Sequence, residues 1–380
     1  MNENKNVMKK RTINERLKIT VIGCGACGNG ITAEIQENVL ALEGDKSNVS
    51  FIGVNTSIED LDSVRLDHKL HLNNSKGAAC NRESAVRDLA ESIETILPEL
   101  QEYIIEDSII FIVTSLGGGT GSSITPFLAS ILLESGYRVG IIAVLPSDDE
   151  SLKIKDNARK TFNEIEELKP QLGSIFFLDN NAADKSKINR TFASLFTSVM
   201  CINNSSQDGN MDLAEIEACL TTPSFSIITK TGRGNGNTAN IIEILNRSSN
   251  IFAKRDDKVV SVIGVSEAVS AKDSNIDMVE LRKELGIAPT EFHGYLSASE
   301  ENVIILSGLT MPYARVDAMS ESVENKADII QNAVKATTQV RAANMSDVFQ
   351  KSIMGVSAQL KAKPKGLSAL EELKARRISK

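Results

Sequence analysis

Two glycine-rich segments contain the residue types that could bind an anion through the backbone. GCGACGNG occupies residues 23–30, and GGGTGSS occupies residues 117–123. Each follows an apolar run typical of a buried strand and precedes a predicted helix. Glycines let backbone N–H groups approach an anion closely because no Cβ intervenes, and the helix directs its positive dipole end at the same place. The two segments therefore predict a phosphate-binding cradle made mostly of main-chain amides.

The glycine segments also fit other structures. Gly23, Gly25 and Gly28 have the G-x-G-x-x-G spacing of a dinucleotide-binding fold. The next strand, however, ends in Asn55-Thr56 rather than in the acidic residue that binds a ribose hydroxyl. The chain contains no G-x-x-x-x-G-K-[ST], which excludes a P-loop NTPase. GGGTGSS alone could be a flexible turn with a Ser/Thr helix cap, but two lysine-free glycine loops favour a polyphosphate ligand.

Two acidic patterns could serve chemistry or could cap helices. Asp212 and Glu215 stand at i and i+3 at the start of a predicted helix, which is the spacing of a capping box. The long polar run at 203–210 favours instead an exposed loop whose carboxylates orient a water for attack on a phosphate. Ser147 and Glu150 have the same spacing, and we predict that they cap the long helix that follows.

Cys24-x-x-Cys27 and His68-x-x-His71 have spacings that could form a Cys2His2 zinc site. The cysteines lie inside a glycine loop that is predicted to face phosphate, and the histidines lie near a short strand. Zinc is therefore disfavoured, and a redox C-x-x-C is disfavoured because no thioredoxin-like context surrounds it.

Composition predicts a cytoplasmic protein of two or three domains. The chain has 380 residues, of which 41% are hydrophobic. No window approaches the roughly twenty apolar residues of a membrane helix, and the polar N-terminus resembles no signal peptide. Five scattered cysteines suit a reducing compartment. The net charge of −8 argues against a surface coated with nucleic acid.

The elements that must position the glycine loops alternate between strand and helix. Apolar runs predict strands at 18–23, 51–55, 108–113, 137–146 and 174–180. Helices are predicted at 28–42, after Asn81, at 124–135 and at 147–168. This alternation predicts an α/β fold with a doubly wound parallel sheet, in which ligands bind at the carboxyl ends of the strands.

The second half of the chain has a different pattern. An apolar helix at 186–204 is predicted to lie buried between two layers. A smaller mixed α/β domain is then predicted, with strands at 225–229, 259–265 and 302–309 and helices near 238–248 and 276–285. From 316 to about 360 the chain is predicted to be helical. The last twenty residues hold seven basic and two acidic groups.

Together these segments resemble the tubulin/FtsZ superfamily of polymerising GTPases, over most of the chain and in the right order. GCGACGNG resembles the first nucleotide loop, VNTSIEDL (54–61) the second and KGAACN (76–81) the third. GGGTGSS resembles the tubulin signature. PSDDE (146–150) resembles the fifth loop without the usual Lys-Pro-Phe, and LDN (178–180) resembles the sixth. NMDLAEI (210–216) resembles the synergy loop, with an acidic pair closer to α-tubulin than to FtsZ.

The resemblance implies that GTP or GDP, with Mg2+, binds on these loops and that Asp212 and Glu215 are catalytic. Glu150 would contact the ribose, and Asn180 the guanine or the ribose. The residue that stacks on the base could be Ile188, Asn189 or Phe192, of which an ungapped alignment favours Ile188. The implied nucleotide-binding residues are Gly23, Cys24, Gly25, Ala26, Cys27, Asn29, Asn55, Thr56, Gly77, Ala78, Ala79, Gly117, Gly118, Gly119, Thr120, Gly121, Ser122, Pro146, Glu150, Asn180, Ile188 and Phe192.

The resemblance also implies a domain order. It runs from an N-terminal extension (1–17) through a GTP-binding domain (18–184), a central helix (185–208), a C-terminal activation domain (209–315) and a C-terminal helix (316–360) to a basic tail (361–380).

Within the superfamily the chain is most similar to the TubZ branch of plasmid- and phage-borne partition proteins. This similarity implies head-to-tail filaments in which Asp212 and Glu215 of one copy complete the nucleotide site of the next. It further implies that the basic tail binds a DNA-bound centromere adaptor, so that DNA is an indirect partner and membrane is not a partner. The tail could also be a solvated end or could touch DNA phosphates directly.

Two other functions stay open at this point. An FtsZ-like role in cell division is the alternative, but the chain lacks a C-terminal peptide of the Asp-Ile-Pro kind. An NAD-type oxidoreductase built on residues 18–55 is weaker because it gives no account of GGGTGSS.

Overall fold

The computed structural model describes most of the chain up to residue 323. The described residues are 11–72, 77–202, 212–232, 237–246, 251–255, 262–267, 277–285, 293–296 and 301–323. The chain divides into two compact units, Met1–Val316 and Asp317–Lys380. Of the second unit, residues 317–323 are described, and they are helical. The predicted helix beyond 323 and the basic tail lie outside the described residues, as do residues 203–211.

Ten strands in the described part of the chain form one continuous sheet. They are β1 (Ile19–Cys24), β2 (Val49–Asn55), β3 (His68–His71), β4 (Ile109–Ser115), β5 (Arg138–Leu145), β6 (Ser174–Asp179), β7 (Ser224–Gly232), β8 (Val262–Glu267), β9 (His293–Leu296) and β10 (Glu301–Leu309). Their order across the sheet is β3-β2-β1-β4-β5-β6-β7-β10-β8-β9.

The first six strands are parallel to one another, as the alternation of strands and helices predicts. Their order reverses direction between β1 and β4, which is the switch point of a doubly wound sheet. Beyond them, β7 and β10 pair antiparallel, β10 and β8 pair antiparallel, and β8 and β9 pair parallel. The mixed strands predicted for the second half therefore extend the same sheet, joined to it through β6 and β7.

The helices that cover this sheet confirm the predicted α/β layering. They are α1 (Gly25–Leu40), α2 (Ile58–Asp62), α3 (Arg82–Tyr103), α4 (Thr120–Glu134), α5 (Leu152–Leu168), α6 (Lys185–Met200), α7 (Leu213–Thr221), α8 (Thr238–Asn246) and α9 (Met278–Leu285), with a short 3-10 turn at Lys169–Gln171. A further helix covers residues 313–323. None of the described helices is both long and apolar enough to cross a lipid bilayer.

The core explains why the strand sequences are nearly continuous apolar runs. β4 is buried along Ile109 to Thr114 because helices cover both faces of the parallel sheet. Aromatic rings fill the space between the sheet and α6, with Phe111 5.1 Å from Phe196 and Phe176 5.7 Å from Phe192 between ring centroids. Such pairs each contribute about 0.5–1.5 kcal/mol beyond their buried area. Helix α6 is thus a core element, as its apolar circumference predicted.

The start of α5 corrects one prediction. The helix begins directly after Ser151, whose side-chain oxygen accepts a hydrogen bond from the Ile154 N–H at 3.4 Å. Ser147 and Glu150 therefore do not cap it. The Glu150 N–H donates to the Ser147 carbonyl at 3.2 Å, and the Glu150 carboxylate forms an ion pair with Lys185. Residues 147–150 therefore form a turn ahead of the helix, and the Glu150 carboxylate is directed to Lys185 rather than to the helix terminus.

The described residues before β1 pack into the body of the fold. Ile13 and Leu17 are buried. The Asn14 N–H donates to the Met200 carbonyl at 2.8 Å, and the Asn14 side-chain amide donates to the Ile202 carbonyl at 2.7 Å. This segment, predicted as part of an N-terminal extension, therefore ties the end of α6 to the sheet.

Candidate functional site

The two glycine loops meet at the switch point of the sheet. A Cβ built on Gly28 would lie 2.1 Å from the Val113 carbonyl oxygen, and one built on Gly121 would lie 2.6 Å from the Cys24 carbonyl oxygen. Gly25 has φ +73°, and a Cβ there would lie 2.9 Å from the Gly121 nitrogen. No side chain fits at such separations. The loops after β1 and β4 are therefore packed backbone against backbone, at the carboxyl ends where a doubly wound sheet binds ligands.

The described residues 77–81 of the third loop pack against GGGTGSS (residues 117–123), which is the fourth loop. A Cβ on Gly119 would lie 2.8 Å from the Ala78 Cβ and 2.9 Å from the Cys80 nitrogen. Ala79 and Cys80 both have positive φ, 46° and 56°, a region that non-glycine residues rarely adopt. A left-handed residue of this kind costs about 1–3 kcal/mol and is retained where the surroundings fix it, often at functional sites. Gly77, with φ 96°, begins the same loop.

Asn157 of α5 joins these two loops, and the sequence analysis missed it. Its side-chain amide nitrogen lies 3.1 Å from the Cys80 carbonyl oxygen, 3.2 Å from that of Gly117 and 3.3 Å from that of Gly118. The residue is buried in the middle of a helix and belongs to none of the motifs. No sequence pattern connects it with the glycines, so only the fold reveals this contact.

Gly118 differs from its neighbours in the fourth loop. A Cβ on Gly117 would lie 2.4 Å from the Ile154 side chain, whereas a Cβ on Gly118 would meet no atom within 4 Å among the described residues. Packing therefore explains the glycines at 117, 119 and 121 but not the one at 118. Close approach of a ligand to the backbone is the remaining reason for a glycine there.

The helices that follow the glycine loops have N-termini without a side-chain cap, a property that α6 shares. Neither α1 nor α4 has a side-chain hydrogen bond to its first turn, and neither has an acidic residue there. The neighbouring α2, α3 and α5 are capped by Ser57, Asn81 and Ser151. The first N–H groups of a helix need external partners. Two such N-termini, brought together at Gly25 and Gly121, form a site for an anion.

The serine hydroxyls of GGGTGSS donate hydrogen bonds within the loop and helix. Ser122 Oγ donates to the Gly118 carbonyl at 2.5 Å, and Ser123 Oγ donates to the Gly119 carbonyl at 2.6 Å. Thr120 Oγ1 lies 2.6 Å from Thr56 Oγ1. A hydroxyl has one proton to donate, so the serine protons are used within the loop and helix. In the threonine pair one hydroxyl donates to the other, so one threonine proton remains available beside the main-chain amides as an anion-binding group.

The second loop reaches the same site through Asn55 and Thr56, which are both buried. The Thr56 N–H donates to Asn55 Oδ1 at 2.8 Å. Beside them, Asn29 is fully buried, and its Oδ1 has no hydrogen-bond partner among the described residues. A buried acceptor without a partner costs about 1–3 kcal/mol, so this atom is suited to a ligand donor or a bound water.

The fifth and sixth loops follow β5 and β6. Pro146 is buried, and Glu150 is paired with Lys185 of α6. The Asn180 N–H donates to the Leu145 carbonyl at 3.2 Å, whereas Asn180 Oδ1 is buried without a partner in the described part of the chain. Asn180 thus presents a second unsatisfied amide oxygen at the carboxyl edge of the sheet.

The candidates for base stacking are placed differently. Ile188 and Phe192 are both fully buried, and Phe192 packs against Phe176, Phe196 and Phe252. Phe192 is therefore a core residue, and its assignment to the nucleotide is corrected. Ile188 likewise offers no exposed surface. Asn189 is the half-buried member of the set, so it is the residue that a base can reach without repacking of the core.

The cysteines and histidines of the first loops form no metal site. No group of three His, Cys, Asp or Glu residues in the described ranges lies close enough to hold a metal ion. His68 stacks on Tyr103, with ring centroids 3.9 Å apart, and His71 Nε2 lies 3.2 Å from the Thr56 carbonyl oxygen. Burial raises the pKa of Cys24 to about 12. Burial also raises the pKa of Cys27 to about 11, although the positive charge of Lys185 lowers it in part. Ala26, between the two cysteines, is exposed.

The acidic pair lies at the start of α7. Glu215 Oε2 accepts a hydrogen bond from the Asp212 N–H at 2.6 Å, so the capping-box interaction suggested by the spacing is present. Asp212 is exposed. In the isolated chain both carboxylates are engaged at the helix terminus, because the Asp212 side chain also accepts a hydrogen bond from the backbone of Glu215. Asp212 is the more exposed of the two residues.

Helix α7 lies at the opposite edge of the sheet from the glycine loops. A groove of about 910 Å³ is lined by Lys18, Ser108 and Arg138, at the amino ends of β1, β4 and β5, and by Leu213 and Glu217 of α7. Arg138 forms an ion pair with Glu217 at 2.7 Å. β4 has seven residues, so the two edges are separated by about 20 Å. One chain therefore does not bring its acidic pair to its own glycine loops.

Comparisons with known proteins agree with this fold. Residues 18–186 match the model of the Tubulin/FtsZ family, GTPase domain. The predicted resemblance to the tubulin/FtsZ superfamily is therefore confirmed. The chain is also 28% identical over 298 residues to the tubulin-like protein TubZ of Clostridium botulinum C phage, a match that covers 77% of this chain and 80% of that protein.

Solved structures of TubZ proteins share the fold. A tail-truncated TubZ of Clostridium botulinum phage c-st superposes with a TM-score of 0.69 at 25% identity, covering 83% of this chain and 98% of that chain. A GTPγS-form protofilament of Bacillus thuringiensis serovar israelensis TubZ gives a TM-score of 0.69 at 19% identity, covering 88% and 96%. The second comparison concerns the fold alone. The similarity to the TubZ branch that the motifs indicated is thus found in sequence and in structure.

Proposed function

We propose that this protein is a cytoplasmic GTPase that assembles head to tail and hydrolyses GTP between two copies. The observation that carries the proposal is the distance between the two parts of the candidate site, the anion-binding loops and the acidic pair. The anion-binding loops lie at one edge of the parallel sheet, and the exposed Asp212 lies about 20 Å away at the other. A head-to-tail contact brings opposite edges together, and because such a contact does not close on itself it generates a filament.

In this proposal the triphosphate binds the uncapped N-termini of α1 and α4. Gly118 lets the phosphate approach the backbone, and the strained third loop closes over it. The unpartnered amide oxygen of the half-buried Asn180 accepts a hydrogen bond from the nucleoside, and that of the fully buried Asn29 accepts one from an ordered water. Asn180, next to the fifth loop, is suited to the base or ribose, and Asn189 is suited to stacking.

The residues around the phosphates fit a hydrated magnesium ion. The described residues contain no cluster of acidic ligands that would hold a metal alone. Mg2+ commonly keeps several waters and binds substrate phosphates with few protein ligands. It would therefore be coordinated mainly by phosphate oxygens and water, and would neutralise charge on the triphosphate.

Asp212 of the neighbouring copy supplies the acidic group. Its carboxylate accepts a hydrogen bond from a water and orients that water in line with the γ-phosphorus. Glu215 can take part only after it gives up the Asp212 N–H that it accepts in the isolated chain. Asp212 must likewise give up its bond to the backbone of Glu215, but it is the more exposed of the two and is the principal orienting residue, assisted by Glu215.

A complementation experiment tests this arrangement. Asp212→Ala retains the loops but lacks the acid, and Gly118→Asp places a carboxylate where a phosphate would bind without a packing clash. Neither variant alone turns over GTP. A mixture regains turnover because nucleotide on the Asp212→Ala copy meets the intact acid of the Gly118→Asp copy. A silent mixture that still co-sediments with GTP would refute catalysis between copies.

Concentration dependence gives a second test of the same arrangement. Phosphate release per subunit should rise above a threshold protein concentration, in step with sedimentation of the assembled protein. A rate per subunit that stays constant from dilute to concentrated solution would show that one copy hydrolyses GTP unaided.

We further propose a role in plasmid or phage DNA partition. This proposal rests on the similarity to TubZ proteins and on the basic residues of 361–380, which lie outside the described residues. The tail would bind a DNA-bound centromere adaptor. Removal of residues 361–380 should abolish adaptor binding and leave GTP turnover and assembly unchanged. An unchanged adaptor affinity in the truncated protein would refute this role of the tail. A steep salt dependence of binding to bare DNA would indicate direct contact instead.

A further inference from the structure

A single arginine near the end of the first compact unit connects the fifth and sixth loops. Arg315 Nε lies 2.8 Å from Asp179 Oδ2, and its Nη2 lies 2.7 Å from the Pro146 carbonyl oxygen. Its Nη1 lies 3.3 Å from Asp148 Oδ1. Asp179 ends β6, and Pro146 directly follows β5. One guanidinium group therefore spans the carboxyl ends of two neighbouring strands.

This contact is buried enough to be specific. The Arg315 side chain is 12% exposed and that of Asp179 is 10% exposed, whereas the Asp148 side chain is 73% exposed. Breaking a buried pair leaves an uncompensated charge, while an exposed pair contributes little. The contacts to Asp179 and to the Pro146 carbonyl therefore hold the arginine in place, and the contact to Asp148 is secondary.

The same network positions the residues expected to meet the nucleoside. Asp179 Oδ1 also accepts a hydrogen bond from the Asn181 N–H at 3.0 Å, directly beyond Asn180 with its unpartnered amide oxygen. Asn181 Oδ1 in turn accepts from the Asp148 N–H at 2.9 Å. The two loops are thus bonded to each other and to Arg315, but Arg315 is not bonded to the glycine loops in any described contact.

We propose that Arg315 is the positioning residue for the base and ribose half of the nucleotide site. It fixes the spacing between the Pro146–Glu150 turn and Asn180 without touching the nucleotide, and it has no part in holding the phosphates. This inference rests on the proposed GTP site. It adds that the affinity for the nucleoside depends on the start of the helix at 313–323, which lies more than a hundred residues further along the chain.

Thermodynamic linkage makes the dependence of nucleotide affinity on the Arg315 contacts reciprocal. If Arg315 holds the loops in the binding geometry, bound nucleotide must stabilise the contacts of Arg315 by the same free energy. Couplings of this kind are typically about 5- to 150-fold in affinity. The nucleotide state is thereby communicated to the beginning of helix 313–323.

The test compares three variants of the full-length protein. Arg315→Gln removes the charge and the fork, and Arg315→Lys retains a charge on a flexible stem but cannot bridge both partners in the same way. Tyr313→Phe is the matched control, because Tyr313 lies on the same helical turn and its hydroxyl contacts Glu166 of α5 rather than the loops. The probes are GTP binding at equilibrium and amide hydrogen exchange of the nucleotide-free protein.

Arg315→Gln should weaken GTP binding about tenfold, with Arg315→Lys intermediate and Tyr313→Phe unchanged. In nucleotide-free protein, peptides covering 146–150 and 179–182 should exchange faster in Arg315→Gln, while the peptide covering 117–123 should not change. Wild-type GTP affinity in Arg315→Gln would overturn the inference, as would equal acceleration in all three peptides.

The result separates this inference from the proposed function. If wild-type protein fails to bind GTP, the proposed function is wrong, while the exchange data still report whether Arg315 holds the two loops. If the Arg315→Gln chain does not fold, Arg315→Lys and Asp179→Asn supply the same comparison, because Asp179→Asn removes the charge from the other side of the pair.

Discussion

The two edges of the parallel sheet differ in chemical character. At the carboxyl edge, the loops after β1 and β4 are neutral and touch through bare backbone, and the helices behind them have no side-chain caps. At the amino edge, charged side chains such as Lys18, Arg138 and Glu217 surround a groove, and the capping box of Asp212 and Glu215 closes the N-terminus of α7. The first edge suits a bound anion, and the second suits a protein surface. In the proposed head-to-tail assembly these two edges would meet.

The largest expected effect comes from filling the backbone contact at the carboxyl edge. Gly28→Ala places a Cβ 2.1 Å from the Val113 carbonyl oxygen, and both atoms belong to rigid backbone. We expect it to lower the free energy of unfolding by about 3 kcal/mol and to abolish GTP binding. Urea denaturation and nucleotide binding measure the two effects.

The matched controls for Gly28 are Gly30→Ala and Gly118→Ala, because a Cβ at either position meets no described atom within 4 Å. Gly30 lies inside α1, so alanine should stabilise the protein by up to about 1 kcal/mol and leave binding unchanged. Gly118→Ala should leave stability unchanged and weaken GTP binding. Equal binding by the Gly30 and Gly118 variants would show that the fourth loop does not approach the phosphate.

The second prediction separates the two acids of the amino edge. Asp212→Asn should reduce GTP turnover about a hundredfold or more with little effect on GTP affinity, since it removes the orienting carboxylate. Glu215→Gln should reduce turnover less, because Glu215 is less exposed than Asp212. Steady-state phosphate release with saturating GTP measures both. A larger loss for Glu215→Gln would reverse the assignment of the two roles.

The third prediction concerns the charge of the groove. Lys18→Glu should raise the protein concentration needed for assembly about threefold, as expected for an exposed charge pair of less than about 1 kcal/mol. The carboxyl edge that would approach it carries the exposed Asp148 and Asp149. Lys160→Glu on the exposed face of α5 is the control and should have no effect on assembly. Sedimentation at two salt concentrations checks this, because screening should reduce the difference between Lys18→Glu and wild type.

The smallest effect is expected at the thiols of the first loop. Burial raises the pKa of Cys24 to about 12 and that of Cys27 to about 11, so the reactive thiolate is scarce at pH 8. Alkylation of both should be slow and should accelerate about tenfold for each pH unit. Mass spectrometry of iodoacetamide-treated native protein follows the reaction, with urea-unfolded protein as the control. Rapid labelling of Cys24 in native protein would show that the loop opens.

The sequence predicted the frame of the site well because its signals are local. Apolar runs ending in glycine marked β1 and β4, and Asp212 with Glu215 marked the start of α7. It failed where the outcome depends on contacts distant in the chain. Ser147 has the pattern of a cap, but Ser151 four residues later is the cap that forms. The apolar pattern indicated that the helix containing Phe192 is buried, but the ring contacts between β6 and α6 were needed to separate its core residues from candidates for the nucleotide.

The side chains that hold the loops together could not be identified from the sequence, for the same reason. Asn157 and Arg315 form their bonds with residues about forty and more than one hundred positions away. No local pattern records a partner at such distances. The same holds for the serine hydroxyls of GGGTGSS, whose expected role as phosphate donors could be corrected only from their hydrogen bonds to Gly118 and Gly119.

The join between β6 and β7 has a mechanical consequence. In the described strands, β1 and β2 pair through six residues each, but β6 and β7 pair only through Ser174 with Ser224 and Ile175 with Phe225. A force that pulls the two halves of the sheet apart in its plane is therefore borne at this line by very little backbone. Shear in the plane of the sheet would load each backbone hydrogen bond at this line more heavily than those between β1 and β2.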